Sequence, residues 1–268
     1  SWQREFYEDL HAHPELSHEE ERTAGRILER LRTFDCEIVQ PIGGFGAVAI
    51  FRNGPGPTAL FRADFDGLPV QEETAVAYAS RNGNMHACGH DMHTTALLGA
   101  CALLDAHRDA WSGTFLALFQ PAEESSMGAK YMLADSLTTR VPKPDICLGQ
   151  HVMPGKAGDV LSRPGAIMAG CDSLRITIHG RSAHASMPHA AVDPTYIAAM
   201  VITRLQAIVG REVAPHDFFV ISVGELHSGD KNNIIPETAE LVLNTRYYKP
   251  DVAKRVYASL ERMVRAEC

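Results

Sequence analysis

No stretch of the 268-residue chain approaches the ~20 consecutive apolar residues that a bilayer-spanning helix needs. No basic region followed by an apolar core marks a signal peptide. There is no basic excess either. Lys+Arg number 25 against 33 Asp+Glu, a net charge of -8 with His neutral, which gives no support to binding a nucleic-acid backbone. Internal repeats and low-complexity segments are absent. Gly43-Gly-Phe-Gly46 lacks both the full glycine pattern of a phosphate loop and its Lys-Ser/Thr ending, and reads as a turn before a strand. The six cysteines, at 36, 88, 101, 147, 171 and 268, are irregularly spaced in a chain too long for a stapled mini-domain. They read as reduced thiols, and the expectation is a cytoplasmic protein.

What is present is a globular composition, 45% hydrophobic and 22% charged, long enough for one or two domains. Apolar residues at helical spacing over 1–34 predict two helices broken at Pro14, with Ser17 and Glu20 as a capping box. AVAIFR (47–52), TALFRADF (58–65), TFLALFQ (114–120) and DICLGQHV (145–152) read as strands. Helices are expected at 93–104 and 127–133. This alternation predicts an α/β domain over 1–163 with a largely parallel sheet. After RPGA (163–166) the pattern changes. Strands at 172–180, 217–226 and 239–248 and helices at 193–210 and 250–266 give β-α-β-β-α, a ferredoxin-like α+β unit without its last strand over 164–268.

Thirteen histidines make a moderately rich supply, and they cluster. Met85-His-Ala-Cys-Gly-His-Asp-Met-His93 is the densest run. One glycine separates Cys88 from His90, so a thiolate and an imidazole can converge on a single point, a donor pair suited to zinc, or to manganese if carboxylates complete the set. His93 either joins them or orients the first turn of the helix. Glu123 and Glu124 follow a strand expected to be buried, at the carboxyl end where α/β sheets place their sites. Adjacent residues point different ways, so one carboxylate can bind metal while the other reaches a water. His151 ends another strand, and Asp64 and Asp66 end a fourth. Alternate residues of an extended segment face one side, so both carboxylates could face one site, or one could hold a ligand imidazole by its second nitrogen. Jointly these strand ends argue for a metal hydrolase. A Cys88–His pair attacking an amide covalently is the competing chemistry.

The stretches HAHPELSHEE (11–20), FRADFDGLPVQEET (61–74), MHACGHDMHT (85–94), FQPAEESSMGAKYML (119–133), GQHVMPGKAG (149–158), GRSAHASMPHAAVDP (180–194) and NNIIPETAEL (232–241) resemble the M20 metallopeptidase/amidohydrolase family. The resemblance is to its branch of hippurate hydrolases, N-acyl-amino-acid amidohydrolases and auxin-conjugate hydrolases. It implies a zinc-peptidase-like three-layer catalytic domain with an inserted ferredoxin-like domain that acts as lid and dimerisation module. It places metal ligands at Cys88, His90, Glu124 and His151, the general acid/base at Glu123, and a supporting aspartate outside the metal's ligands at Asp66. It implies two divalent ions, manganese or zinc ahead of cobalt or nickel, and a substrate that is an N-acyl or N-aroyl amino acid or a short peptide. The lid histidine falls on His184, which in the family reaches a partner subunit's site. A surface-loop role would explain it equally. Asn233 and Arg246 are candidates for the substrate carboxylate, Arg for its two-pronged fork; sheet packing or a surface ion pair would explain Arg246 nearly as well.

Relatives in the resembled family continue past the lid into a segment carrying a last histidine ligand, which the chain up to Cys268 does not contain. The expectation is therefore a piece of a longer enzyme that binds one metal better than two and turns over poorly. The alternatives are an aminoacylase or dipeptidase-type exopeptidase and, in another class, an inactive metal-binding or dimerisation fragment.

Overall fold

The computed structural model describes residues 1–268, which divide into two compact units, Ser1–Ala157 and Gly158–Cys268.

In the first unit, α1 (Trp2–Ala12) and α2 (Glu21–Leu31) are followed by β1 (Glu37–Ile42), β2 (Gly46–Asn53) and β3 (Thr58–Asp64). Then come α3 (His90–Ala106), β4 (Gly113–Gln120), α4 (Gly128–Ala134), α5 (Leu137–Arg140) and β5 (Ile146–Gly149). The break at Pro14 is where the sequence puts it, but the capping box is not formed. Glu15 caps α2 instead, its carboxylate accepting from the backbone N–H of Arg22 and Thr23 at 3.0 and 2.7 Å. Ser17 and Glu20 point toward the site described below, because both find stronger partners there.

The five strands run in the order β1-β2-β4-β3-β5. Only β4-β3-β5 is parallel; β1-β2 and β2-β4 are antiparallel, so the sheet is mixed and open, not largely parallel. The reason is local: a tight turn through Gly43 and Gly44, both at positive φ, returns β1 directly into β2 as a hairpin. Alternation along the central strands splits the core into two layers. Ala49, Phe51, Ala117 and Phe119 pack with Leu10, Ile27, Leu31, Leu97 and Leu98 of α1–α3. Val48, Ile50, Leu116 and Leu118 pack on the other face with Met132 of α4 and Val141.

The second unit contains β6 (Gly170–His179), β7 (Ala183–His184), α6 (Pro194–Glu212), β8 (Phe219–Ser228), β9 (Ile234–Ile235), β10 (Thr238–Tyr247) and α7 (Pro250–Glu267). Asp193 caps α6 through Thr195 and Tyr196 N–H, with Pro194 in the first turn. The antiparallel order β6-β10-β8 places the third long strand between the first two. Ala239, Leu241 and Leu243 of β10 turn toward Ala198, Val201 and Leu205 of α6 and Val252 and Val256 of α7. The opposite face carries Glu240, Asn244 and Arg246.

Candidate metal centre

The carboxyl ends of β3, β4 and β5 and the first turn of α3 gather the acidic, imidazole and thiol groups of the first unit. Three sets bring their ligand atoms within 4.8 Å of one another: Cys88 with His90 and His151, His90 with Glu123 and Glu124, and Asp64 with His90 and His93. His90 is common to all three. Four separated segments that the sequence singled out therefore meet at one place.

Each side chain is set by its backbone. Gly89 stands at φ 75° as the residue before α3, which turns Cys88 and His90 to the same side. Its missing Cβ also matters, since one built there would lie 2.4 Å from Val152 Cγ2. Val152 thus rests on the glycine between the two residues. The turn after β4 is tight as well. Ala122 stands at φ 51°, its N–H donates to the buried Glu20 carboxylate at 2.7 Å, and its carbonyl accepts from Gly128. This presents Glu123 and Glu124 side by side but unequally exposed, 40% and 21%.

His90 is fully buried. Its Nδ1–H donates to Asp66 at 3.1 Å, and Nε2 then carries a lone pair with no hydrogen-bond partner. That nitrogen faces Asp64 Oδ2, Glu124 Oε1 and Glu123 Oε2 at 3.7, 3.8 and 3.9 Å. Glu124 Oε1 is likewise buried and unpaired. Orphaned buried acceptors facing one point are costly unless something positive fills it. A soft sulfur, two imidazoles and a carboxylate are a donor set that fits a borderline divalent cation.

Asp66 organises two of these groups. It accepts from His90, from the Glu124 N–H at 2.9 Å and from Ser17 Oγ at 2.7 Å. Burial alone would raise its pKa, but those donors outweigh it and hold the carboxyl at about 2. Burial disfavours the His90 imidazolium, yet the bond to Asp66 and the charges of Asp64 and Glu124 raise its pKa overall. Glu123 is raised first by burial and then by Asp64 and Glu124. Burial, and after it the neighbouring Glu124 carboxylate, push the Cys88 thiol up to about 12. A thiol so held is a poor nucleophile, which counts against covalent attack through Cys88.

His93 is placed at this centre, with its Nδ1 2.6 Å from Asp64 Oδ1 and its Nε2 accepting from the Val152 N–H at 2.9 Å. Below the first turn of α3 lies a network that the sequence reading missed: His11 bonds Asp91 at 2.7 Å and Glu72 at 3.1 Å, with all three buried. The Asp91 next to His90 was its one visible signal.

His184, Asn233 and Arg246 belong to the second unit. The β7–β9 ribbon sets His184 opposite Ile234, and Ala185 N–H donates to the Asn233 carbonyl, so His184 and Asn233 are neighbours. His184 is exposed, with Nδ1 on Ser186 Oγ at 2.8 Å. Arg246 is half-buried on the face of β10 away from the helices, its Nη1 on Asn244.

Residues 60–266 match the model of peptidase family M20/M25/M40. The chain is 40% identical to a hippurate hydrolase of Campylobacter jejuni over 88% of its own length and 62% of the relative's. It is 37% identical to an N-acyl-L-amino acid amidohydrolase of Geobacillus stearothermophilus, over 99% of the chain and 71% of that protein. Among solved structures, a dinuclear metal-binding peptidase of the M20 family from Bacillus subtilis superposes with a TM-score of 0.84 at 31% identity, covering 99% of this chain and 69% of that one. The mixed α/β fold with an open sheet, the candidate metal-ligand groups and these relatives define a metal-dependent hydrolase. The chain belongs to the M20/M25/M40 peptidase family.

Proposed function

We propose that the chain carries the catalytic groups for metal-dependent hydrolysis of the amide bond of N-acyl or N-aroyl amino acids. The observation that carries this reading is the meeting of Cys88, His90, His151 and the Glu123–Glu124 pair around the unpaired Nε2 of His90. Relatives named for hippurate and N-acyl-amino-acid hydrolysis support the substrate class.

Cys88, His90, Glu124 and His151 would hold divalent metal, with Asp66 fixing His90 and Glu124 from behind. Two ions are proposed for a complete site, manganese or zinc first. Bound there, metal would polarise the amide carbonyl and acidify a water. Glu123 is the proton carrier. It is the more exposed of the pair, close enough to the same point to accept the water's proton, and free to hand a proton to the departing nitrogen. Amide nitrogen leaves poorly unless protonated, so a base that returns its proton serves both halves of the reaction. His184 is proposed as a donor to the oxyanion developing in a partner subunit's site, and Asn233 and Arg246 as holders of the substrate carboxylate. The neighbouring of His184 and Asn233 supports a shared role.

Self-association through residues 164–268 belongs to the same proposal. The outer edge of β6 is unpaired, leaving its backbone groups open to a second copy. Six free thiols support a reducing, cytoplasmic setting. No helix is long and apolar enough to cross a membrane.

The test is a panel of N-acetyl, N-benzoyl and indole-acyl amino acids and dipeptides, assayed with Mn, Zn, Co and Ni. Chelation should abolish hydrolysis, and E123Q should abolish turnover while still binding metal. Retained rate in E123Q would refute the role of Glu123, and hydrolysis of dipeptides alone would move the reading to an exopeptidase.

A further inference from the structure

We propose that His93 is a positioning residue that presents His151 to the metal centre, through a chain of hydrogen bonds running from Asp64 across the backbone of Val152. The inference rests on the metal-centre reading above.

The bond directions follow from one fixed donor. The Val152 N–H can only donate, and it donates to His93 Nε2 at 2.9 Å. Nε2 therefore carries the lone pair and Nδ1 the hydrogen, which points at Asp64 Oδ1 2.6 Å away. Both ring nitrogens are thereby used, and His93 has none left for metal. Asp64 is itself placed to hold this end. It is buried at the close of β3, with Arg62 Nη1 2.6 Å from its Oδ2 and Thr94 Oγ1 donating to its carbonyl at 2.8 Å.

The chain continues on the far side of Val152. The Val152 carbonyl accepts from His151 Nδ1 at 2.7 Å, which leaves Nε2 of His151 as the atom free to ligate. The His93 and His151 rings also meet edge to face, with centroids 4.6 Å apart. The need for such a device is visible in the backbone. His151 lies past the end of β5, in an exposed segment without regular structure. A ligand on so loose a segment would cost affinity in ordering at each binding event. The hydrogen bonds of Val152 to His93 and His151, together with its packing on Gly89, tie that segment to the turn that carries Cys88 and His90.

The test compares H93L, H93Q and H93N with H90A by calorimetric titration with Zn and Mn and by the absorption spectrum of bound Co, with metal-free circular dichroism as the fold control. Glutamine can place its carbonyl where Nε2 stood and accept from Val152; asparagine reaches only toward Asp64. H93L should lose ten- to a hundredfold in affinity, the range usual for groups that orient a metal's ligands. H93Q should recover much of that loss, and H93N should not. Unchanged affinity in H93L, or affinity in H93N equal to or above that in H93Q, overturns the proposal. If H93L does not fold, the Q-against-N comparison decides alone. If H90A also binds as wild type, the metal-centre reading itself fails, an outcome distinct from failure of His93 alone.

Discussion

Asp66 and His90 are joined at Nδ1 by a 3.1 Å hydrogen bond, and that bond decides which nitrogen of the imidazole faces the centre. The same carboxylate holds the backbone of Glu124. One aspartate thus sets two proposed ligands that lie far apart in sequence.

D66N can keep a bond to His90 but must offer an amide hydrogen near other donors, and D66A keeps nothing. Metal affinity should fall about tenfold in D66N and nearer a hundredfold in D66A, measured by calorimetry. Equal affinity in wild type and D66A would remove Asp66 from the account.

Proton release should accompany metal binding. The Cys88 thiol is pushed up to about 12, chiefly by burial and then by the nearby Glu124 carboxylate, so it is protonated at neutral pH and must give up that proton to become a ligand. Affinity should rise with pH, by up to about tenfold per unit for each proton released. Titrations in buffers of differing ionisation enthalpy should report at least one proton lost, and in C88A one fewer.

Two glycines should behave oppositely. G89A forces a side chain onto a left-handed residue and into Val152, so it should lower stability by about 1–3 kcal/mol and weaken metal binding. Gly25 lies inside α2 with open space around its Cβ position, and G25A should raise stability by about 0.5–1 kcal/mol. Chemical denaturation measures both.

Asp9 ties α1 to α2 through Arg22 at 2.6 Å and Arg26 at 2.9 Å. Burial works to raise its pKa, but the two arginines outweigh it and hold it below the usual carboxylate value. A depressed folded pKa stabilises the protein above the unfolded pKa of about 3.9, and that stability is lost as pH falls through the folded value. D9N should therefore cost about 0.5–1 kcal/mol at pH 7 and almost nothing near pH 2. A pH-independent loss would point to packing instead.

The sequence made most of this centre legible because its groups sit at strand ends and in one dense run. Cys88 and His90 flank a glycine, and Glu123 and Glu124 follow a strand whose unbroken apolar run is plain. The bonding of His93 was only half visible: a helix-start role was open to it, but its partners are Asp64 at the end of β3 and Val152 in the irregular segment after β5, and no local pattern reveals that these two meet it. The hairpin of β1 escaped because EIVQPI carries a proline and little alternation, and with it went the antiparallel half of the sheet. The capping box failed for a tertiary reason, since Ser17 and Glu20 are drawn to Asp66 and Ala122.

Anomalous diffraction from crystals soaked in Mn or Zn tests the central claim most directly. The account predicts density between Cys88 Sγ, His90 Nε2 and His151 Nε2, with Glu124 reaching the same ion. An ion bound elsewhere, or none at concentrations that saturate binding in solution, would contradict it.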